Sequence, residues 1–396
     1  MEHMAAELEL DDATARERMG DAAPTGRAFI PVAAPVLAGR EKEYVADCME
    51  SGWISSVGKY VELFESEFAK FCGVRHAVSC CNGTAALHLA LVALGVGPGD
   101  EVIVPTLTFV ATANAVTYCG ARPVFVDSEP ETWNLDPAQV ASKITPRTKG
   151  IIAVHLYGHP ADMNALRVLA SKHGLFLLED AAEAHGALHD ERRAGSLGDI
   201  AAFSFYANKI IATGEGGMVV TDDDALASRV RLLRGQGMDA ERRYWFPEVG
   251  YNYRMMNLPA AIGLAQLECA GWHTARRREV ADRYKQLLGD VRALGWQVER
   301  VWARHAYWMF TVLLDDVTAD ERDHVMARLH KEGIETRPVF YPVHSLPPYR
   351  EAARGEEFAV AESLARRGVS LPTWAGLGND DLEYVCERLR ACLREK

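Results

Sequence analysis

The stretch Gly150–Asp180, GIIAVHLYGHPADMNALRVLASKHGLFLLED, decides the fold. It opens on an apolar run over Gly150–Leu156, passes through a helical pattern over Met163–His173, and closes on a second apolar run, Leu175–Asp180, that ends in two carboxylates. A strand, a helix and a strand within about thirty residues make a βαβ unit, whose strands run parallel and are covered on both faces. Toward the N-terminus the same alternation repeats. Ala77–Cys80 reads as a strand, Cys81–Asn82–Gly83 as a turn and Thr84–Leu94 as a helix that Gly95–Asp100 breaks. Glu101–Pro105 and Pro123–Asp127 are strand-like, with a helical stretch, Phe109–Cys119, between them. Toward the C-terminus, Ala201–Tyr206 and Gly217–Thr221 add two strands joined by a glycine-rich turn. The pattern predicts an α/β fold built on a large, mostly parallel sheet.

The pattern changes after Asn257. Helices are expected over Leu258–Cys269, Arg276–Leu288 and Ala319–Gly333, a strand over Trp308–Leu314, extended chain over Arg337–Tyr341, and a last helix over Asp380–Leu393. We therefore expect a large domain over 29–259 and a small α/β domain over 260–396. Residues 1–28 are acidic and lack apolar periodicity, and are expected to be a flexible leader.

Composition excludes several classes. The 396 residues carry 43 Lys and Arg against 55 Asp and Glu, a formal charge of −12, which argues against a generic binder of nucleic-acid backbone. No run approaches the roughly 18 apolar residues of a membrane span. The N-terminus has no apolar signal segment, so a cytoplasmic protein is expected. Cys48, Cys72, Cys80, Cys81, Cys119, Cys269, Cys386 and Cys392 form no CxxC pair, and no cluster has the spacing of a metal site.

The chemistry concentrates in Phe203–Thr221, FSFYANKIIATGEGGMVVT, where a single lysine, Lys209, stands among apolar and small residues. Such a lysine is either a surface residue set apart by its neighbours or a partly buried amine of lowered pKa, nucleophilic toward carbonyls. Asp180 closes a buried parallel strand, where open α/β sheets bind ligands, although a helix cap would also explain it. Lysine and aspartate together suit pyridoxal phosphate, which needs an amine to hold its aldehyde and a carboxylate to keep its ring nitrogen protonated. Asn82–Gly83–Thr84 opens a helix after a strand; it is either a phosphate cradle or an ordinary turn and cap. Phe109 could stack on a cofactor ring or belong to the core, and Ser204 could point its hydroxyl at the same site. No GxGxxG follows a predicted strand, which counts against a dinucleotide fold.

These residues sit in a series of longer segments: GWISSVGKYVELFESEFAKF (52–71), NGTAALHLAL (82–91), GDEVIVPTLTFVATANAV (99–116), HLYGHPADM (155–163), LLEDAAEAHGA (177–187), GDIAAFSFYANKIIATGEGGMVVTDD (198–223) and GYNYRMMNLPAAIGLAQL (250–267). Through them the chain, over residues 29–396, resembles the DegT/StrS family of pyridoxal-phosphate-dependent sugar aminotransferases. The resemblance implies a fold-type I, aspartate-aminotransferase-like architecture and a homodimer whose interface completes the active site. It makes Lys209 the Schiff-base lysine and proton shuttle, pairs Asp180 with the pyridine nitrogen and puts Glu183 near the cofactor's 3′ oxygen. Gly83, Thr84 and Ser204 would hold the phosphate, with Asn252 reaching it from the partner subunit, and Phe109 would stack on the ring. Arg254 and His344 match positions near the substrate. The implied reaction carries an amino group from glutamate, through pyridoxamine 5′-phosphate, to the keto group of a nucleotide-linked deoxysugar, with C4 of GDP-4-keto-6-deoxymannose the first choice. Another keto-sugar, an aminocyclitol ketone or a non-catalytic protein of the same fold are the alternatives. Cys81 departs from the serine usual in relatives, and no role is implied for the acidic leader. One branch of the family replaces the lysine by histidine and dehydrates at C3; Lys209 argues against that branch.

Overall fold

The computed structural model describes residues 27–394. Seven strands form the large sheet: β1 (His76–Cys80), β2 (Glu101–Pro105), β3 (Arg122–Val126), β4 (Thr148–Val154), β5 (Phe176–Asp180), β6 (Ile200–Ser204) and β7 (Gly217–Thr221). Their order is β1-β7-β6-β5-β4-β2-β3. The ladders from β3 to β6 are parallel, and β7 runs antiparallel to both β6 and β1. Nearly every residue of β2, β4, β5, β6 and β7 is buried, as the unbroken apolar runs require of a sheet covered on both faces.

Around this sheet pack α1 (Glu41–Ser51), α2 (Lys59–Cys72), α3 (Gly83–Ala93), α4 (Ala111–Tyr118), α5 (Pro137–Lys143), α6 (Met163–His173), α7 (Asp224–Arg234) and α8 (Asn257–Glu268). Side-chain caps from Asn82, Asp136, Asp162 and Asp223 start four of them, supplying acceptors to N–H groups that a helix leaves unpaired. The centre of the large core is aromatic. Phe64 and Phe68 of α2 meet Phe203 and Phe205, six and four residues before Lys209, at centroid distances of 5.0–5.2 Å. The lysine segment is thus rooted in the part of the core where truncation to alanine costs most, about 3–5 kcal/mol per Phe.

The C-terminal part holds a four-stranded antiparallel sheet, β8 (Leu294–Trp296), β9 (Phe310–Leu314), β10 (Arg337–Pro338) and β11 (Gly368–Leu371), in the order β8-β9-β11-β10. Helices α9 (Ala270–Leu288), α10 (Ala319–Lys331), α11 (Ala359–Arg367) and α12 (Asn379–Arg394) accompany it. A separate core of Val280, Tyr284, Phe310, Val325, Leu329, Val385 and Leu389 joins sheet and helices. Two-residue strands at 188–189, 192–193 and 303–304 form a small third sheet.

The expected elements stand within a few residues of their predicted ends, with two informative differences. The strand expected from Trp308 begins at Phe310, because the Trp308 N–H is spent on Tyr157 O and leaves the ladder. The helix expected from Arg276 begins at Ala270, directly after Cys269, whose non-helical backbone separates it from the end of α8 at Glu268. The reading of residues 1–28 as a flexible leader falls outside the described residues, apart from Arg27 and Ala28. No helix among the described residues is long and apolar enough to cross a membrane.

Candidate active site

The C-terminal ends of β2, β4, β5 and β6 converge on one edge of the sheet, beside the start of α3. A cavity of about 470 Å³ opens there, closed on its far side by residues of the C-terminal part. Ligands of open parallel sheets bind at such an edge because the loops that leave it diverge.

One wall is the N-terminus of α3. Asn82 Oδ1 accepts from the Ala85 N–H at 2.8 Å, which fixes the first turn, and Gly83 and Thr84 line the cavity. The first N–H groups of a helix have no partner within it and carry the positive end of its dipole. Ser204, at the end of β6, adds a hydroxyl to the same wall. A Cβ on Gly83 would stand 2.6 Å from the Ser204 Cβ, so only glycine lets helix and strand approach this closely. The result is a cradle of N–H and hydroxyl donors fitted to a phosphate.

The floor carries two buried carboxylates. Asp180 Oδ2 accepts from Thr112 Oγ1 at 2.7 Å, and Oδ1 accepts from the Ala182 N–H at 3.3 Å. Burial pushes the Asp180 carboxyl above its usual range, against the pull of the Thr112 hydrogen bond and the Lys209 charge. Glu183 Oε2 accepts from the Tyr157 N–H at 2.7 Å. Burial pushes its carboxyl up to about 7, opposed first by the charge of Lys209.

Lys209 lies in the segment between the antiparallel neighbours β6 and β7. The segment is tied across its neck: the Phe205 N–H donates to Gly216 O, the Thr213 N–H to Phe205 O, and the Ala207 N–H to Gly214 O. Its Nζ stands 3.8 Å from Glu183 Oε1 and 3.8 Å from the centroid of the Trp308 ring. Burial lowers the pKa of this amine, while Glu183 and Asp180 oppose the shift. The amine, two carboxylates and an anion cradle thus face one cavity. That set can hold an aldehyde cofactor by its carbonyl, its ring and its phosphate at once.

Eight of the residues singled out from sequence line the cavity: Asn82, Gly83, Thr84, Phe109, Asp180, Glu183, Ser204 and Lys209. Phe109 is 56% exposed at the rim, its ring 5.8 Å from that of Phe340. The other three lie off the wall of this chain's cavity. Asn252 and Arg254 are exposed at the surface, with Arg254 Nη2 donating to Asn252 Oδ1 at 3.1 Å. His344 is engaged behind the wall: Nδ1 is 2.6 Å from Thr106 Oγ1, Nε2 is 3.3 Å from Glu362 Oε1, and the ring stacks on Phe358 at 4.3 Å. Sequence reasoning missed Thr112, Glu215, Trp308, Arg337 and Phe340. Thr112 sits in the predicted helix after Phe109 and Glu215 in the glycine-rich turn, so both lie beside residues that stand out in the sequence. The last three come from the C-terminal part and carry no local signal.

The profile of the DegT/DnrJ/EryC1/StrS aminotransferase family matches residues 35–390. The chain is 54% identical over 364 residues to the GDP-perosamine synthase of Caulobacter vibrioides, covering 91% of this chain and 97% of that protein. It is 48% identical to the GDP-perosamine synthase of Escherichia coli O157:H7, covering 93% of this chain and 100% of that one. The crystal structure of the aminotransferase TlmJ from Streptoalloteichus hindustanus superposes with a TM-score of 0.87 at 35% identity, over 93% of this chain and 100% of TlmJ. A profile match over most of the length, relatives near half identity and a shared fold agree with the cavity's chemistry, and the chain belongs to the DegT/DnrJ/EryC1/StrS aminotransferase family.

Proposed function

We propose that this protein uses pyridoxal 5′-phosphate to move an amino group from glutamate to C4 of GDP-4-keto-6-deoxymannose, acting in the cytoplasm as a homodimer with shared active sites. The observation that carries the reading is the meeting of Lys209, Asp180 and Glu183 in one cavity beside the α3 cradle. The GDP-linked sugar is favoured by the names of the relatives at 54% and 48% identity.

Gly83, Thr84 and Ser204 would hold the phosphate, Asp180 the ring nitrogen and Lys209 the aldehyde carbon. When bound, the cofactor supplies a conjugated ring that accepts the electron pair released at the donor's α-carbon. Asp180 is fixed by Thr112 and keeps a negative charge opposite the place where positive charge must stay. Lys209 Nζ, freed by the incoming amine, takes the α-proton and later returns it. Glu183 lies beside that amine and is suited to a hydrogen bond with the cofactor's 3′ oxygen. Phe109, Phe340 and Trp308 line the space and would keep water from the reacting atoms once it is filled. A large domain over 29–259 and a small one over 260–396 are supported by the separate core around Val280, Tyr284, Phe310 and Leu389, while the core of the large sheet also draws in Ala260, Leu264, Trp308 and Leu364 from beyond that boundary.

Exposed Met49, Trp53, Ile54 and Val57, with Phe109 and Tyr206 at the cavity rim, support a partner copy, as does the exposure of Asn252 and Arg254. The test is spectroscopic. The purified chain with pyridoxal phosphate should show a bound-cofactor band that excess glutamate converts to the pyridoxamine form. The product should then yield its amine to GDP-4-keto-6-deoxymannose faster than to TDP-linked ketosugars. A band that glutamate leaves unchanged would overturn the donor, and preference for a TDP-sugar would overturn the substrate.

A further inference from the structure

Trp308 is the least expected wall of the cavity. Its ring is 4% exposed, and its centroid lies 3.8 Å from Lys209 Nζ. The indole is fixed on every side. Its Nε1–H donates to the carbonyl of Asn208, the residue before the lysine, at 2.8 Å. Its own N–H donates to Tyr157 O, and its carbonyl accepts from Arg277 Nη1 at 2.8 Å. The ring lies nearly parallel to Tyr157, 6.1 Å away, and to Phe340, 6.4 Å away. Both Tyr307, which precedes it, and Tyr157 hold left-handed backbone, with φ of 48° and 56°. Non-glycine residues occupy that region only where their surroundings impose it.

Arg277 reinforces the arrangement. It is buried in α9, and Nη1 divides its donors between Trp308 O and Thr373 O, both at 2.8 Å. A buried guanidinium spent on two carbonyls instead of a carboxylate holds backbone in place. A chain of contacts therefore runs from Thr373 through Arg277 and Trp308 to Asn208 and Lys209.

We propose that Trp308 is a catalytic residue whose indole face holds the protonated Lys209 amine while that amine is detached from the cofactor. The proposal rests on the reading of Lys209 as the cofactor lysine. In that reading the amine takes a proton from carbon, so a new N–H bond replaces the broken C–H bond, and the same proton is later given back. A carboxylate at hydrogen-bond distance would stabilise the ammonium but clamp it or take its proton. An aromatic face attracts the cation and has no lone pair to accept that proton. The other charged groups around Nζ are Glu183 and Asp180 on the anionic side and Arg337 and Arg277 on the cationic side, with neutral His185 and Tyr157 packed nearby. Glu183 Oε1, also at 3.8 Å, pairs with the amine by charge but is beyond hydrogen-bond reach, so the ring shares the ammonium with a carboxylate that neither clamps it nor takes its proton.

The test is the rate at which the full-length chain, freed of cofactor, captures pyridoxal phosphate as a function of pH, followed by absorbance. Only the unprotonated amine reacts, so the midpoint of the profile reports the Lys209 pKa. Removing the π face destabilises the ammonium, so Trp308→Leu should move the midpoint to lower pH by about one unit. Trp308→Phe keeps a face while losing the bond to Asn208 O and should move it by less than half as much. Global replacement of tryptophan by fluorinated analogues weakens the face at nearly constant volume. It should shift the midpoint in the same direction in the wild type and not in a Trp308→Phe background, a comparison that stands even if the leucine variant fails to fold. Midpoints unchanged by leucine or by fluorination would overturn the role of Trp308 while leaving the lysine assignment intact. No capture by the wild-type chain at any pH would overturn the lysine assignment itself.

Discussion

Asp180 and Glu183 are three residues apart and equally buried, yet their surroundings set them to different tasks. Asp180 takes two hydrogen bonds from Thr112 and Ala182, while Glu183 takes one backbone N–H and faces an amine. Asp180→Asn should keep the fold, since an amide can still accept from Thr112, and, in the proposed role, should lower kcat by about 10²-fold or more, because the negative charge that would hold the ring nitrogen protonated is lost. Retained structure by circular dichroism with normal turnover would contradict that role. Glu183 makes a prediction about stability. Its carboxyl is raised from its ordinary 4.5 to about 7 in the folded protein, so folding favours the protonated form. The stability it contributes is complete below pH 4.5 and is lost as pH rises through about 7. Over that window the melting temperature of the cofactor-free wild type should fall relative to that of Glu183→Gln, whose side chain does not titrate. At this scale the sequence was legible where chemistry and isolation coincide. Lys209 stands out because its neighbours are apolar, whereas Trp308, 99 positions later, reads as one more aromatic at a strand start. Nothing local tells that its N–H leaves the ladder for Tyr157.

Elements were legible in proportion to their length and burial. The runs that became β2, β4 and β5 are apolar throughout, and helices such as α3 and α6 lie between turn signals. Strands β8, β10 and β11, of two to four residues, are too short to carry a period, and their pairing comes from the core shared by Tyr284, Phe310 and Leu329. The direction of β7 was equally hidden, because its unbroken apolar run suits either orientation. The α3 cradle makes the element-scale prediction. Alanine at position 83 would favour the helix by about 1 kcal/mol on intrinsic grounds. Its Cβ would nevertheless meet Ser204 at 2.6 Å and force helix and strand apart. Gly83→Ala should raise the Kd for pyridoxal phosphate by about tenfold or more, the equivalent of a hydrogen bond to a charged group. Equilibrium titration of the bound-cofactor band measures it, and an unchanged Kd would remove Gly83 from the phosphate site.

For the whole molecule the question is where Asn252 and Arg254 act, since both stand off the wall of their own chain's cavity. If each reaches the neighbouring copy, Lys209→Ala and Asn252→Ala damage different chains of the same site. Separately each variant should be nearly inactive. Mixed one to one and allowed to exchange subunits, they should recover about a quarter of wild-type activity, because half the dimers are hybrids with one intact site of two. Recovery near zero, with exchange shown by mass, would place Asn252 in its own chain's chemistry. Light scattering on the wild type should give the mass of two chains.

The tied neck of the lysine segment bears on motion. Three backbone bonds close it between the antiparallel strands β6 and β7, and a fourth contact from the indole of Trp308 closes its outer side. A loop fastened in this way has no opening smaller than the sheet that holds it. The amides of Phe205, Ala207 and Thr213 should therefore exchange with deuterated solvent as slowly as those of β6. Lys209 would then reach its partners by rotation of its four side-chain bonds alone, on a timescale of nanoseconds, with the backbone at rest throughout turnover.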